Sequence, residues 1–317
     1  MAGITFVERG RTPGNSRFGR FFGEQLSIFK NELDNLLLPN YFVPPFVPRR
    51  IAVTVVVHDL LFRSRPHSIP LSKVLWQRFC FLVGMRRADR IICISEFTRS
   101  ELETYYGPLV ASKVSVIHNP IDPKRFVETR SGQSNSAERK HFLCLSAGFE
   151  HKNVSFLEEL FLTDPRLSGC NLVIAGARAA ELGRGSIKSQ SLKSANPSGH
   201  NVRYTGYVSD DELQSLFSES ISFLFPSVYE GFGMPVFEAL LVGLNVVCHR
   251  VGAIEEIVGD LVDFVDVVND RDAWVRLIIN SASRTPPTHE AVAARLAALQ
   301  PEAIARQYYD VVTAGVF

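Results

Sequence analysis

Two glutamates, Glu230 and Glu238, stand with seven residues between them around the run Gly231-Phe232-Gly233-Met234-Pro235. The chain enters this run from an apolar stretch ending at Phe225-Pro226-Ser227. Glycines let backbone N–H groups approach a ligand closely. Pro235 suits the first turn of a helix, and Glu238 is expected in that same turn. A helix start offers unpaired N–H donors and a positive dipole end, which fits a diphosphate. A carboxylate at Glu238 can accept two hydrogen bonds, as from a ribose diol. Glu230 is placed to meet sugar hydroxyls or developing positive charge. The same residues also fit a loop whose carboxylates cap a helix, but the compound pattern favours the ligand site.

Such a site must be held by strand ends. Ile51 to Val57 is a β-branched run that ends in His58-Asp59. Leu36-Leu37-Leu38, Arg90 to Ile94 and Val114 to Ile117 read as further strands, and Leu71 to Arg87 reads as a helix. Ile4 to Val7 reads as a short strand, and Phe18 to Phe29 as a helix after a turn at Gly14-Asn15-Ser16. Ser95 suits a helix N-cap. In the second half, strands are predicted at 141–146, 171–175, 202–204, 221–225 and 245–248. Helices are predicted at 154–161, 210–218, 235–242, 254–258 and 301–312. The Gly-, Ser- and Lys-rich stretch from Gly183 to His200 reads as a loop. The polar stretch around residues 127–140 has linker composition, so the expected domains are 1–130 and 131–317. Alternating strands and helices with near-continuous apolar strands predict an α/β fold of parallel sheets. Two such units make two Rossmann-like domains facing across a cleft, with ligands at the carboxyl ends of the strands.

Composition narrows the partners. The 317 residues are 46% hydrophobic and 21% charged, which argues for buried cores over disorder or a coiled coil. Residues 1–130 hold 19 Lys/Arg and 11 Asp/Glu, a balance of +8 within a net +1. A basic first half is open to three readings: anionic lipid headgroups, phosphate-bearing substrates, or plain solvated surface. Nucleic acid is the weaker expectation, because no binding motif is present. The five cysteines are scattered without a CxxC pair, which fits reduced core residues in a cytoplasmic protein. No apolar stretch approaches the roughly 20 residues of a membrane-spanning helix, so membrane contact would be peripheral.

The run from Pro226 to Ala239 resembles the E-x7-E motif of family 4 retaining glycosyltransferases, which have the GT-B fold. Glu150-His151-Lys152-Asn153, Gly206-Tyr207-Val208-Ser209-Asp210 and Gly252-Ala253-Ile254-Glu255-Glu256 are similar to that family as well. So are Val57-His58-Asp59-Leu60, Arg90 to Phe97 and His118-Asn119-Pro120 in the first half. The resemblance implies a hexose transferred from a nucleotide diphosphate sugar to a saccharide or lipid-linked acceptor, with retention and with no cofactor or required metal. It implies that Lys152 neutralises the diphosphate, with His151 near where relatives carry an arginine. Ser227 and the backbone from Gly231 to Pro235 would line the donor pocket. Tyr207 and Val208 would meet the base, although Tyr207 equally suits a plain strand–turn–helix junction. Glu256 falls where relatives often have an acidic donor-pocket residue, and it equally fits a solvated helix charge.

By the same resemblance, His58 and Asp59 would serve the sugar or acceptor, and Gly14, Asn15 and Ser16 a phosphate or acceptor loop. The first domain is short for the family, with room for one strand–helix unit fewer. That leaves as rivals a non-catalytic nucleotide-sugar-binding protein and a GT-B epimerase. The segment holding Lys73, Trp76, Arg78, Phe79, Phe81, Arg86 and Arg87 mixes basic and aromatic residues and could rest on an anionic membrane. Its helical spacing predicts core packing for most of the apolar members.

Overall fold

The computed structural model describes residues 33–44, 46–68, 70–123, 139–145, 148–176, 192–195 and 201–314. The expected turn at Gly14, Asn15 and Ser16, the elements flanking it and most of the polar stretch 127–140 lie outside these residues. Two compact units form, one from Met1–His118 with Ala305–Phe317 and the other from Asn119–Ile304.

Among the described residues, the first unit has a four-stranded sheet of β1 (Asn35–Leu38), β2 (Ala52–Val57), β3 (Arg90–Cys93) and β4 (Val114–Val116), in that spatial order. All neighbours run parallel. Parallel neighbours need long crossovers. Helices α1 (Leu61–Ser64) and α2 (Leu71–Arg87) link β2 to β3, and α3 (Glu96–Val110) links β3 to β4. Strand β2 is buried along nearly its whole length, as its unbroken apolar run requires of a covered sheet. Ser95 caps α3 by accepting the Thr98 N–H. Val53, Val55, Phe62, Phe81, Met85, Ile91 and Leu102 form the core.

Among the described residues, the second unit carries seven strands: β5 (His141–Leu145), β6 (Asn171–Ala175), β7 (Leu192–Ala195), β8 (Asn201–Gly206), β9 (Ser220–Phe225), β10 (Asn245–His249) and β11 (Asp263–Val265). Their spatial order is β11-β10-β9-β5-β6-β8-β7. The helices are α4 (Val154–Thr163), α5 (Asp210–Ser218), α6 (Met234–Leu241), α7 (Ile254–Val258), α8 (Arg271–Ser283) and α9 (His289–Leu296). The last helix, α10 (Pro301–Thr313), begins in this unit and ends in the first.

Within the loop expected from Gly183 to His200, Leu192–Ala195 form strand β7 instead, and the rest of that stretch lies outside the described residues. Strand β7 pairs antiparallel with β8 at the sheet edge. An edge ladder is made by backbone groups, so a polar composition does not forbid it. Helices α8 and α9 and strand β11 were not predicted. The order matters most at β5. From there the chain builds outward through β6 and β8, then returns to lay β9 on the other side of β5. The strand order therefore reverses between β5 and β9, where open α/β sheets bind ligands.

Candidate functional site

The loops that leave β5 and β9 meet at this reversal. After β5 the chain makes a single 3-10 turn, Glu150–Lys152, and enters α4 through Asn153 in the left-handed region. After β9 it passes Ser227 and Glu230 into α6. The Val228 N–H donates to the His151 carbonyl at 2.8 Å and ties the two loops together. Across that tie, Lys152 Nζ donates to Glu230 Oε1 at 2.6 Å. Their side chains are 18% and 11% exposed, so the pair is shielded from most screening. The Phe225 ring lies 5.5 Å from Lys152 Nζ, close enough for a cation–π contact that supports the ammonium from the strand end. Beneath the pair, burial pushes the Cys144 thiol of β5 up to about 12, against the pull of the Lys152 charge.

The glycine loop has steric causes. Gly233 takes φ +90 at the N-cap of α6, and a Cβ there would come within 2.8 Å of Ile254. With glycine in this place no side chain caps α6, and Pro235 has no N–H to satisfy. The helix start keeps the character of an anion site. Gly231, Phe232 and Gly233 are buried, and the Phe232 ring packs 5.1 Å from Phe237. Helix α6 begins at Met234, so Glu238 is its fifth residue and lies in the second turn, not the first as expected. Gly233 can start the helix one residue earlier because it adopts the cap conformation without strain.

Gly252 opens the Gly252-Ala253-Ile254-Glu255-Glu256 motif, and the sequence alone predicts no role for it. It has φ +62, and a Cβ built on it would fall 2.0 Å from the Glu230 carbonyl oxygen. This glycine is the backstop that lets the loop after β10 pass directly behind Glu230. Ser227 is buried; its carbonyl lies 2.9 Å from His249 Nδ1, and its hydroxyl is among the buried polar atoms with no partner. The His151 ring stacks on Phe149 at 5.5 Å. At the end of β8, Gly206 is at φ +73, and the next ring, Tyr207, is 65% exposed. Val208 is half-buried beside it, and Glu256 is exposed on α7.

In the first unit, His58 and Asp59 follow β2 as expected. His58 is exposed, with Nε2 2.8 Å from the Pro39 carbonyl. Asp59 accepts the Leu61 N–H at 2.9 Å, which is a turn-capping bond at the start of α1. Among the described residues, no cluster of His, Cys, Asp or Glu could hold a metal ion.

The arrangement offers a cation, an uncapped helix start and a carboxylate at one strand reversal. The sequence profile of the glycosyl transferases group 1 family matches residues 127–293. The chain belongs to that family. The profile of glycosyltransferase family 4 matches residues 33–125. The O-antigen chain mannosyltransferase B of Escherichia coli is 28% identical over 251 residues, 77% of this chain and 64% of that protein. The O-antigen chain mannosyltransferase RfbU of Salmonella typhimurium is 24% identical over 230 residues, 72% of this chain and 60% of that protein. The chain thus matches less than two thirds of the length of either relative. Among solved structures, a sucrose-phosphate synthase from Thermosynechococcus elongatus superposes with TM-score 0.70 at 17% identity, covering 96% of this chain and 81% of that one. WaaG, a glycosyltransferase involved in lipopolysaccharide biosynthesis, gives 0.62 at 14% identity, covering 95% and 85%. The GT-B fold expected from the sequence is the fold of this chain.

Proposed function

We propose that the protein transfers a hexose of the mannose type from a nucleoside diphosphate sugar to a saccharide or lipid-linked saccharide, with retention. The observation that carries this reading is the Lys152–Glu230 pair at the reversal between β5 and β9, 2.6 Å apart and largely shielded. As the glycosidic bond breaks, negative charge grows on the departing diphosphate. A fixed cation and a helix start stabilise that charge in the transition state more than in the ground state. Lys152 and the N-terminus of α6 would supply both. Glu230, bonded to Lys152 at 2.6 Å, would meet the hydroxyls of the sugar once the diphosphate draws the lysine away. Glu238 would take the ribose diol, while Tyr207 and Val208 would face the base, with Glu256, His151 and Ser227 around the pocket.

Retention would follow from attack by the acceptor hydroxyl on the face the diphosphate leaves, with no covalent role for Glu230. His58 and Asp59 would act on the acceptor side. The mannose assignment draws on the two mannosyltransferase relatives, and the reaction would need no metal. The test is product formation from GDP-mannose and other nucleotide sugars with saccharide acceptors, in the presence and absence of a chelator, with the product anomer read by NMR. Lys152→Ala should abolish transfer, and Glu238→Ala should weaken nucleoside diphosphate binding. Full transfer by both variants would overturn the assignment.

A further inference from the structure

Helix α2 turns an apolar face outward. Leu71, Leu75, Trp76, Phe79 and Val83 are 72%, 57%, 55%, 60% and 38% exposed. At 3.6 residues per turn they fall within one arc of about 140°. The opposite face, with Val74, Phe81 and Met85, is fully committed to the core. Core packing was the expectation for most of this helix's apolar residues. It holds for Phe81 and fails for Trp76 and Phe79, whose rings lie 6.0 Å apart on the outer face. Contiguous exposed apolar surface of this kind marks an interaction site.

Charge selects the occupant. The helix carries Lys73, Arg78, Arg86 and Arg87 and no acidic residue, within a first half whose balance is +8. Arg87 is turned inward, bonded to the Pro48 and Ile51 carbonyls and paired with Asp89. Lys73 and Arg86 are exposed, and Arg86 falls inside the apolar arc. A second copy packed face to face would bring these cations together. A bilayer surface with anionic headgroups accepts both features, with apolar side chains at the acyl boundary and cations against phosphates. Tryptophan favours that depth.

We propose that the outer face of α2 docks this protein on an anionic lipid surface. This inference does not depend on the glycosyl-transfer reading.

The chain contains two tryptophans, and Trp274 is fully buried, so Trp76 is a built-in reporter. Vesicles of phosphatidylglycerol mixed with phosphatidylcholine should shift the emission to the blue and sediment with the protein. Brominated acyl chains should quench the emission, and Trp76→Phe should remove both signals. Pure phosphatidylcholine should give little of either. Lys73→Gln and Arg86→Gln should each weaken vesicle partition about fivefold. Leu75→Ser with Phe79→Ser should weaken it more than about tenfold, because two large apolar groups leave the interface. Since these side chains are exposed, the variants should melt with the native protein; the bromolipid readout on the native chain covers the case in which they do not. Absence of quenching, equal binding to both vesicle types, or binding retained by the folded double variant would overturn the proposal. So would an emission already blue in lipid-free protein and unmoved by vesicles, which would mean a second copy or another segment of the chain covers the face.

Discussion

Replacing Gly252 with alanine tests whether Glu230 is a positioned group or a passive loop residue. The added Cβ would lie 2.0 Å from the Glu230 carbonyl oxygen, 2.9 Å from its carbonyl carbon and 3.2 Å from its own Cβ. All three atoms belong to one residue, and two are backbone, so a rotamer change cannot relieve the clash. Restoring contact near 3.4 Å requires about 1.4 Å of relative movement. Alanine at φ +62 adds roughly 1–2 kcal/mol of backbone strain. The displaced residue carries the carboxylate that meets Lys152 at 2.6 Å, so the movement enters the ion pair directly. A misplacement of about 1 Å at a reacting centre costs on the order of a hundredfold in rate. Initial-rate assays should therefore show kcat/KM for transfer falling about a hundredfold. Nucleoside diphosphate binding, which the proposed function assigns largely to α6 and the loop after β8, should change only a few-fold by thermal shift. The control is Gly107→Ala, where no atom lies within 4 Å of the new Cβ. In a helix that change should be neutral or stabilising by about 0.5–1 kcal/mol. A folded Gly252→Ala enzyme with native transfer kinetics would refute the argument that this glycine sets the position of Glu230.

The other predictions concern charge, packing and pH. Lys152→Met leaves the Glu230 carboxylate without its ammonium partner and should cost about 1.5–3 kcal/mol in urea titrations; a Glu230→Gln exchange in that background should recover part of it, and no recovery would mean the pair is not coupled. Gly84→Ala places a Cβ 2.3 Å from the Tyr41 carbonyl oxygen, where a loop crosses α2, and should lower the melting temperature of the first unit with nucleotide binding intact. Burial pushes both the Cys93 and Cys144 thiols up to about 12, from an ordinary value of 9.0. The folded state therefore holds these protons after the unfolded chain has lost them. Stability is fully present below pH 9 and declines as pH rises toward 12, by up to about 1.4 kcal/mol per unit for each thiol. Cys144→Ala should flatten that slope in urea midpoints measured from pH 8 upward, and an unchanged slope would count against the assignment.

The elements that position the site could be read from the sequence because each is long, periodic or capped by the right residue. Helix α2 ran over the expected residues, and α5 did so with Ser209 and Glu212 forming a reciprocal capping box. Helix α8 was legible but missed. Asp270 caps it, and Trp274, Val275 and Ile278 mark its buried face. Strand β11 has only three residues and no period of its own. The outward face of α2 could not be inferred from spacing, because a helix apolar on two faces gives little contrast between inside and outside.

The site itself divides along a physical line. Residue types that chemistry demands, two carboxylates, a lysine and a glycine-rich helix start, are local and could be found by pattern. Their mutual distances are set by strand order, which no local pattern encodes. Lys152 and Glu230 are separated by 78 positions, and they meet because β9 returns to lie beside β5. Gly252 comes from a third strand end, and only its positive φ and its distance to Glu230 reveal what it does. The same strand order seats Lys152 against Glu230 at 2.6 Å. A lysine this shielded without an anion would carry an uncompensated desolvation cost. Glu230 offsets that cost, and under the proposed function a diphosphate would take its place. On this view, ligand entry exchanges one anionic partner of Lys152 for another and leaves Glu230 unpaired beside the sugar. Donor affinity should therefore rise in Glu230→Gln even as transfer falls. An enzyme in which Glu230 only capped the loop would show neither change.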